Sequence, residues 1–122
     1  MKIVETSNAP SAIGPYSQGC EAAGLVITSG QIPIDPATGA MPEGIRLQAE
    51  QSCKNVGAIL AAAGTDFSKV SNTTCFLADM GDIAAFNEVY AKYFTSKPSR
   101  SCVAVKELPK SALCEIEAIA VK

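Results

Sequence analysis

The segment KPSRSCVAV, residues 97 to 105, places an arginine two residues before a cysteine, where a polar loop becomes an apolar run. Arg46 is the only other arginine in the chain, and histidine is absent. Without histidine, Ser-His-Asp, Cys-His and HExxH chemistry are excluded, so any proton transfer falls to Glu, Asp, Cys, Tyr or Lys. A guanidinium in this position is a candidate anchor for a carboxylate, which it can bind through two parallel hydrogen bonds.

Strand alternation predicts which side chains share a sheet face with this arginine. Two final strands are predicted, from Ser99 to Lys106 and from Ala112 to Val121, and alternate residues of a strand point to opposite faces. The apolar sets, which belong under the helices, are Ser101, Val103 and Val105 in one strand and Cys114, Ile116, Ala118 and Ala120 in the other. We therefore expect Arg100, Cys102 and Glu115 together on the face that the helices leave bare.

Two interpretations of this charged face remain open from the residues alone. Glu115 and Arg100 can form a cross-strand ion pair, with the apolar remainder serving as an oligomer interface. Alternatively, Arg100 holds the carboxylate of a small ligand and leaves Glu115 free for proton transfer. Cys102 is either an inert small hydrophobe, as most free cysteines are, or a thiol that the adjacent arginine shifts toward thiolate or uses to orient a ligand.

Three further places have a structural and a functional interpretation. Tyr16, in GPYSQ, is either a loop aromatic packed on the core or part of a site. Ser29 and Gly30 end a predicted strand with ordinary turn chemistry, although a glycine there also lets a backbone N–H approach a ligand closely. Asn87 lies away from the apolar stripe of its predicted helix, where a solvated side chain is the usual outcome.

Composition bounds the class of protein. The 122 residues suit one domain, 1–122, and a formal net charge of −2 provides no basic footprint for nucleic acid. No window approaches the roughly 20 apolar residues of a membrane span, and no secretory signal is recognisable, so we expect the protein to stay in the cytoplasm. The five cysteines contain no CxxC pair, which predicts neither a disulfide framework nor a zinc site and suits a reducing cytosol.

The chain-wide pattern predicts an α+β fold with both helices on one face of the sheet. In addition to the two final strands, strands are expected at Lys2 to Glu5, Gly19 to Ala23, Leu25 to Ser29 and Val70 to Leu77. Residues 31 to 44 are expected to be a long exposed connection with a tight turn at DPATG. A helix from Ile45 to Ala63 carries the apolar stripe Ala49, Cys53, Val56, Leu60 and Ala63, and Gly64 stops it. A second helix, capped by Asp79 or Asp82, turns Ile83, Phe86, Val89, Tyr90, Tyr93 and Phe94 inward.

Motifs along nearly the whole chain resemble the RidA (YjgF) family of enamine and imine deaminases. They are APSAIGPYSQG, VITSGQIPIDPATG, QAEQSCKNVGAILAAAG, FLADMGDIAAFNEVYAKYF, PSRSCVAVKELPK and CEIEAIAV. The resemblance implies a chorismate-mutase-like fold assembled as a homotrimer, with apolar sheet faces inside and three sites in the clefts between subunits. It also implies hydrolysis of 2-aminoacrylate-type enamines or imines to 2-keto acids and ammonia, with neither cofactor nor metal.

The resemblance also assigns roles to individual residues. Arg100 matches the arginine that grips the substrate carboxylate, Cys102 the cysteine beside the substrate, and Glu115 the carboxylate that positions or activates water. Tyr16, Ser29 and Gly30 match positions that line the pocket from the neighbouring subunit, and Asn87 matches a pocket-side asparagine.

The chain departs from the family pattern in the loop before Arg100. TSKPSR is shorter than the usual connection and has Lys97 and Ser99 where an aromatic residue and alanine are common. Because loop length sets the rim of the cleft, a non-catalytic module that binds a small carboxylate is the first alternative to the enzyme. An interaction or chaperone-like trimer, or a ribonuclease acting as a translation inhibitor, is the second, although the acidic balance speaks against RNA.

Overall fold

The structure is a computed structural model that describes residues 1–122 as one six-stranded mixed sheet with two helices packed on one face. The strands are β1 (Lys2–Val4), β2 (Gly19–Ala22), β3 (Leu25–Thr28), β4 (Val70–Leu77), β5 (Ser99–Ala104) and β6 (Cys114–Val121). Their order in the sheet is β1-β2-β3-β6-β4-β5. Only β4 and β5 pair in parallel, and this pair ends the sheet, so β5 is an edge strand.

The helices are α1 (Ile45–Ala62) and α2 (Ile83–Tyr93), and their apolar stripes confirm the sequence pattern. All five members of the α1 stripe are buried, and Gly64 follows the helix with a φ of 82° that favours glycine. The inward residues predicted for α2 all belong to the core or pack against it. Asp79 accepts a hydrogen bond from the N–H of Gly81 and so caps a short 3-10 turn that leads into α2, whereas Asp82 makes no side-chain cap.

The prediction of which β5 residues face the helices is wrong, whereas the same prediction for β6 is confirmed. Cys114, Ile116, Ala118 and Ala120 of β6 are buried under the helices. On β4, the buried residues Thr73 and Cys75 pair with Arg100 and Cys102 of β5. Neighbours in register share a face, so Arg100 and Cys102 lie on the helix side and Val103 on the bare side. Glu115, paired with Phe76, lies on the bare side, opposite to Arg100.

The reason is that β5 lies at the edge, where α2 provides polar partners. Apolar character indicates the inner face where a strand has neighbouring strands on both sides, as β6 has in β3 and β4. At the edge, a charged side chain on the helix side can bind α2 and still reach solvent. Val103, by contrast, stays nearly half exposed on the bare face.

The connection from residue 31 to 44 is only partly exposed, contrary to expectation. Gln31 pairs with Ile116 through backbone hydrogen bonds, and Pro33 is fully buried. The fully buried Asn55 of α1 donates from Nδ2 to the carbonyl oxygens of Ile32 and Ile34, at 3.2 and 2.9 Å. The tight turn at DPATG is confirmed by hydrogen bonds that close on Asp35.

Neither helix is long and apolar enough to cross a membrane. Both helices instead bury one side against the sheet.

The shortened loop before β5 contains a residue in a strained conformation. Lys97 has a φ of 52°, in the left-handed region that costs a non-glycine residue about 1 kcal/mol. Lys97→Gly is therefore expected to raise the melting temperature by about 3 to 6 °C, whereas the control Lys97→Ala, which keeps the strain, should not. Equal melting temperatures for the two variants would contradict this, as measured by thermal unfolding followed with circular dichroism.

Candidate functional site

Arg100 is held by two neutral groups of α2. Its Nη1 donates a hydrogen bond of 2.8 Å to Oδ1 of Asn87, and its Cζ lies 4.7 Å from the ring centroid of Tyr90. Both partners project from α2 toward the edge strand, one turn apart. Asn87 therefore does not have the solvated side chain that its position on the helix favoured. It instead contacts the guanidinium of Arg100 directly.

No carboxylate of the chain pairs with Arg100. The three ion pairs of the protein join Arg46 to Glu88, Lys54 to Glu50, and Lys122 to Glu21. The cross-strand pair between Arg100 and Glu115 is ruled out within one chain because the two side chains lie on opposite faces of the sheet. A guanidinium has five N–H donors and Asn87 accepts from one nitrogen, so the remaining donors are available to a ligand carboxylate.

Cys102 follows Arg100 on the same face and packs against the core. Burial raises the pKa of its thiol, and the nearby charge of Arg100 opposes that change without reversing it. The thiol is therefore protonated at neutral pH, and the thiolate interpretation is wrong for the isolated chain. Cys102 can still contribute an S–H group and a small apolar surface beside the guanidinium.

Glu115 lies in a separate pocket of about 360 Å³ on the bare side of the sheet. The pocket is also lined by Tyr16, Gly30 and Lys110, and Tyr16 is more than half exposed at its rim. A Cβ on Gly30 would overlap the carboxylate of Glu115, so any side chain there would displace that carboxylate. The close approach explains why the sequence has glycine at this position.

The surroundings of Glu115 favour proton transfer. Burial raises the pKa of this carboxyl, and the negative charge of Glu117, two residues along the same face, raises it further. No hydrogen bond of the chain engages the Glu115 side chain. A carboxylate with a raised pKa and free oxygens is suited to act as a general base near neutral pH.

Two buried amides that the sequence did not reveal hold the walls of this pocket. Gln18 donates from Nε2 to the carbonyl oxygens of Thr6, Ala9 and Pro10, and its Oε1 accepts from the N–H of Thr6. The Nδ2 of Asn55 donates to the carbonyl oxygens of Ile32 and Ile34, which also line the pocket. Their partners are loop carbonyls, so no residue type or spacing in the sequence marks them.

Ser29 does not contribute its side chain to the Glu115 pocket. Its Oγ donates 2.6 Å to the carbonyl oxygen of Ser17, and it borders a separate depression with Cys20 and Ile27. Any contribution of Ser29 to ligand binding is therefore through its backbone or through the position of Gly30.

One chain thus carries two incomplete sites on opposite faces of its sheet. The first combines Arg100, Asn87 and Cys102, and can hold an acid group. The second combines Glu115, Tyr16 and Gly30, and can move a proton. No group of three or more His, Cys, Asp or Glu side chains is arranged to hold a metal ion.

The bare face near the second site is largely apolar. Ile3, Cys20, Ile27 and Ile119 form a row across four strands, and Phe76 pairs with Val103 at the other end. Ile3 and Val103 are each about half exposed. Such a patch is typical of a surface that a partner covers.

Comparisons with known proteins show the family of the chain. The family model described as Endoribonuclease L-PSP matches residues 6–122. The 2-iminobutanoate/2-iminopropanoate deaminase of Salmonella typhimurium is 50% identical over 125 aligned residues, covering 99% of this chain and 98% of that protein. The protein of the same name from Escherichia coli is 48% identical with the same coverage.

Solved structures match equally closely. The structure of Escherichia coli TdcF with bound serine has a TM-score of 0.96 at 48% identity, covering 100% of this chain and 99% of that one. The chain belongs to the RidA/YjgF family. The YjgF gene product of Escherichia coli has the same TM-score at 47% identity, covering 100% of this chain and 99% of that one. Membership confirms the resemblance seen in the motifs and the α+β fold with two helices on one face.

The protonated state of Cys102 has a measurable consequence. In a Cys20→Ser background, which removes the other half-buried thiol, alkylation of Cys102 by iodoacetamide should be slower at pH 7 than alkylation of a small free thiol. The rate should keep rising through pH 9, because burial raises the pKa of the Cys102 thiol. Mass spectrometry of timed samples measures the rate, and a plateau below pH 8 would show a thiolate instead.

Proposed function

We propose that this protein is a 2-iminobutanoate/2-iminopropanoate deaminase, which hydrolyses reactive enamine or imine intermediates to 2-keto acids and ammonia. The observation that carries the proposal is the unpaired guanidinium of Arg100, held by Asn87 with donors to spare. The activity named for the Salmonella typhimurium and Escherichia coli relatives supports the assignment of substrate.

The reaction adds water to the imine carbon and expels ammonia. Arg100 holds the substrate carboxylate, and Glu115 takes a proton from the attacking water. A carbinolamine forms, and Glu115 returns the proton to its nitrogen. The C–N bond then breaks as the hydroxyl group gives its proton to the departing nitrogen through Glu115, which leaves the keto acid and ammonia. Because the imine already hydrolyses in water, the protein needs to lower the barrier by only a few kcal/mol, through positioning and one proton transfer.

The remaining site residues orient the substrate in this proposal. Cys102 packs beside the carboxylate, Asn87 fixes the guanidinium, and Tyr16 closes the rim. Gly30 lets its backbone approach the substrate, and Ser29 holds the end of β3 through its bond to Ser17. No step requires a cofactor or a metal, and the five free cysteines suit the reducing cytosol.

A homotrimer would join the two incomplete sites. If the apolar bare faces of three copies meet, the edge strand β5, which carries Arg100, can border the Glu115 pocket of the next subunit, and Tyr16, Ser29 and Gly30 then come from the neighbour. A heterologous contact that closes after three copies gives a ring with three equivalent clefts. Mass measurement in solution tests this: the proposal expects three times the chain mass of 12.6 kDa, and a strict monomer would exclude a site shared between subunits.

A small-carboxylate binding protein without turnover is the second candidate. It is favoured by the shortened loop at the Arg100 site and by the serine bound to the TdcF relative. Calorimetric binding of 2-ketobutyrate without acceleration of imine loss would select it. The family description names an endoribonuclease, but the net charge of −2 offers little attraction for RNA. RNA cleavage that survives rigorous purification and disappears on Glu115→Gln would be needed to support that activity.

Removing the anchor tests the proposed reaction. Arg100→Ala is expected to lower kcat/KM for imine hydrolysis about 10- to 100-fold, since a hydrogen-bonded charge pair with the substrate is lost. The imine is generated with an amino-acid dehydratase, and its decay is followed against the uncatalysed rate. Arg46→Ala is the matched control, because the other arginine binds Glu88 on the surface and should be dispensable. Similar rates for the two variants would refute the role of Arg100.

The pH profile tests the role of Glu115. As a base, Glu115 must be ionised, so kcat/KM should fall as pH decreases through its pKa, which burial raises above the usual value for glutamate. Glu115→Gln should remove this acid limb together with most of the activity. Glu117→Gln should keep the activity and move the limb to lower pH, because a neighbouring negative charge is gone. If neither substitution changed the acid limb of the kcat/KM profile, the proton would have to be transferred by another group.

A further inference from the structure

Tyr90 is a buried aromatic residue whose ring is held by several defined contacts. Its face lies 4.7 Å from Cζ of Arg100, and it stacks with Phe94 at a centroid distance of 4.4 Å and an interplanar angle of 18°. Two groups this close to one centroid occupy opposite faces of the ring. The Tyr90 hydroxyl and the Thr73 hydroxyl are 2.7 Å apart, so the ring is fixed in its plane as well.

These contacts meet two opposing requirements of the Arg100 site. A half-buried guanidinium needs compensation for lost hydration, but a carboxylate that paired with it would compete with the substrate. The π face of an aromatic ring attracts the cation without accepting any of its N–H donors. The amide oxygen of Asn87 accepts one hydrogen bond and carries no charge. The charge and most donors of Arg100 are therefore kept for a ligand.

We propose that Tyr90 is a positioning residue of the substrate-anchoring site, with its ring acting as an electrostatic platform that holds the Arg100 guanidinium in place and leaves it open to a carboxylate. Thr73 fixes the ring through the hydroxyl pair, and Phe94 supports its far face. Tyr90 does not touch the substrate; it acts through Arg100. This inference rests on the proposed function, because it assigns a role within the same site.

The alternative is that Tyr90 is only part of the core. A core role depends on volume and shape, whereas a platform depends on the negative charge of the ring face. Fluorine substitution separates the two, because it weakens the ring quadrupole while changing its shape little.

The test places phenylalanine and its mono-, di- and trifluorinated analogues at position 90 by nonsense suppression. In the assembled protein, KM for the imine should rise in steps with the number of fluorines, by about 2- to 30-fold over the series, with kcat nearly unchanged. The same analogues at position 86 are the matched control. Phe86 is a buried ring of the same helix with centroid 5.9 Å from that of Tyr90, and its fluorination should leave KM constant.

The outcomes separate this inference from the proposed function. A graded rise in KM at position 90 alone supports the platform. Flat values at position 90, or equal rises at both positions, would overturn it and leave Tyr90 as a core residue, while the activity itself would stand. If Arg100→Ala left KM unchanged, the role of Arg100 as anchor would be overturned, and the platform role of Tyr90 with it.

Discussion

The proposed site depends on a cation that the chain does not neutralise. Arg100 is half-buried on an edge strand, and its partners in the chain are an amide oxygen and an aromatic ring. Each partner reduces the cost of burying the charge, and neither occupies the fork of N–H groups that recognises a carboxylate. A surface lysine would be hydrated and mobile, and a buried ion pair would be satisfied internally. The remaining N–H groups of Arg100 are therefore able to bind an anion from outside the chain.

The fold provides this arrangement through one parallel strand pair at the end of the sheet. The register of β4 and β5 sets Arg100 beside Thr73 and Cys102 beside Cys75 on the helix side. The helix α2 connects these two strands, so the crossover itself delivers Asn87 and Tyr90 to the site. On the other side, β6 presents Glu115 next to the end of β3, where only glycine leaves room for the carboxylate. The same sheet therefore separates the proposed anchor, Arg100, from the proposed base, Glu115.

Much of this was predictable from sequence where a pattern covers a whole element. The stripe of α1 and the inward face of α2 follow from apolar periodicity, and the strand β4 follows from its β-branched and aromatic residues. The motifs of the family point to Arg100, Cys102 and Glu115 as site candidates. The face of β5 was not predictable, because period two shows that Arg100 and Cys102 share a side but not which side. That choice depends on α2, whose polar partners meet the strand only after folding. Gln18 and Asn55 were missed because their partners are backbone carbonyls of loops, which no residue pattern encodes.

The central claim is that the arginine of one copy and the glutamate of another make one working site. Complementation measures it directly: chains carrying Arg100→Ala and chains carrying Glu115→Gln are unfolded together, refolded in equal amounts and assayed for imine hydrolysis. Random mixing in a closed ring of three should restore about a quarter of the wild-type activity, although each variant alone is nearly inactive. A mixture no more active than its parents would contradict the shared site.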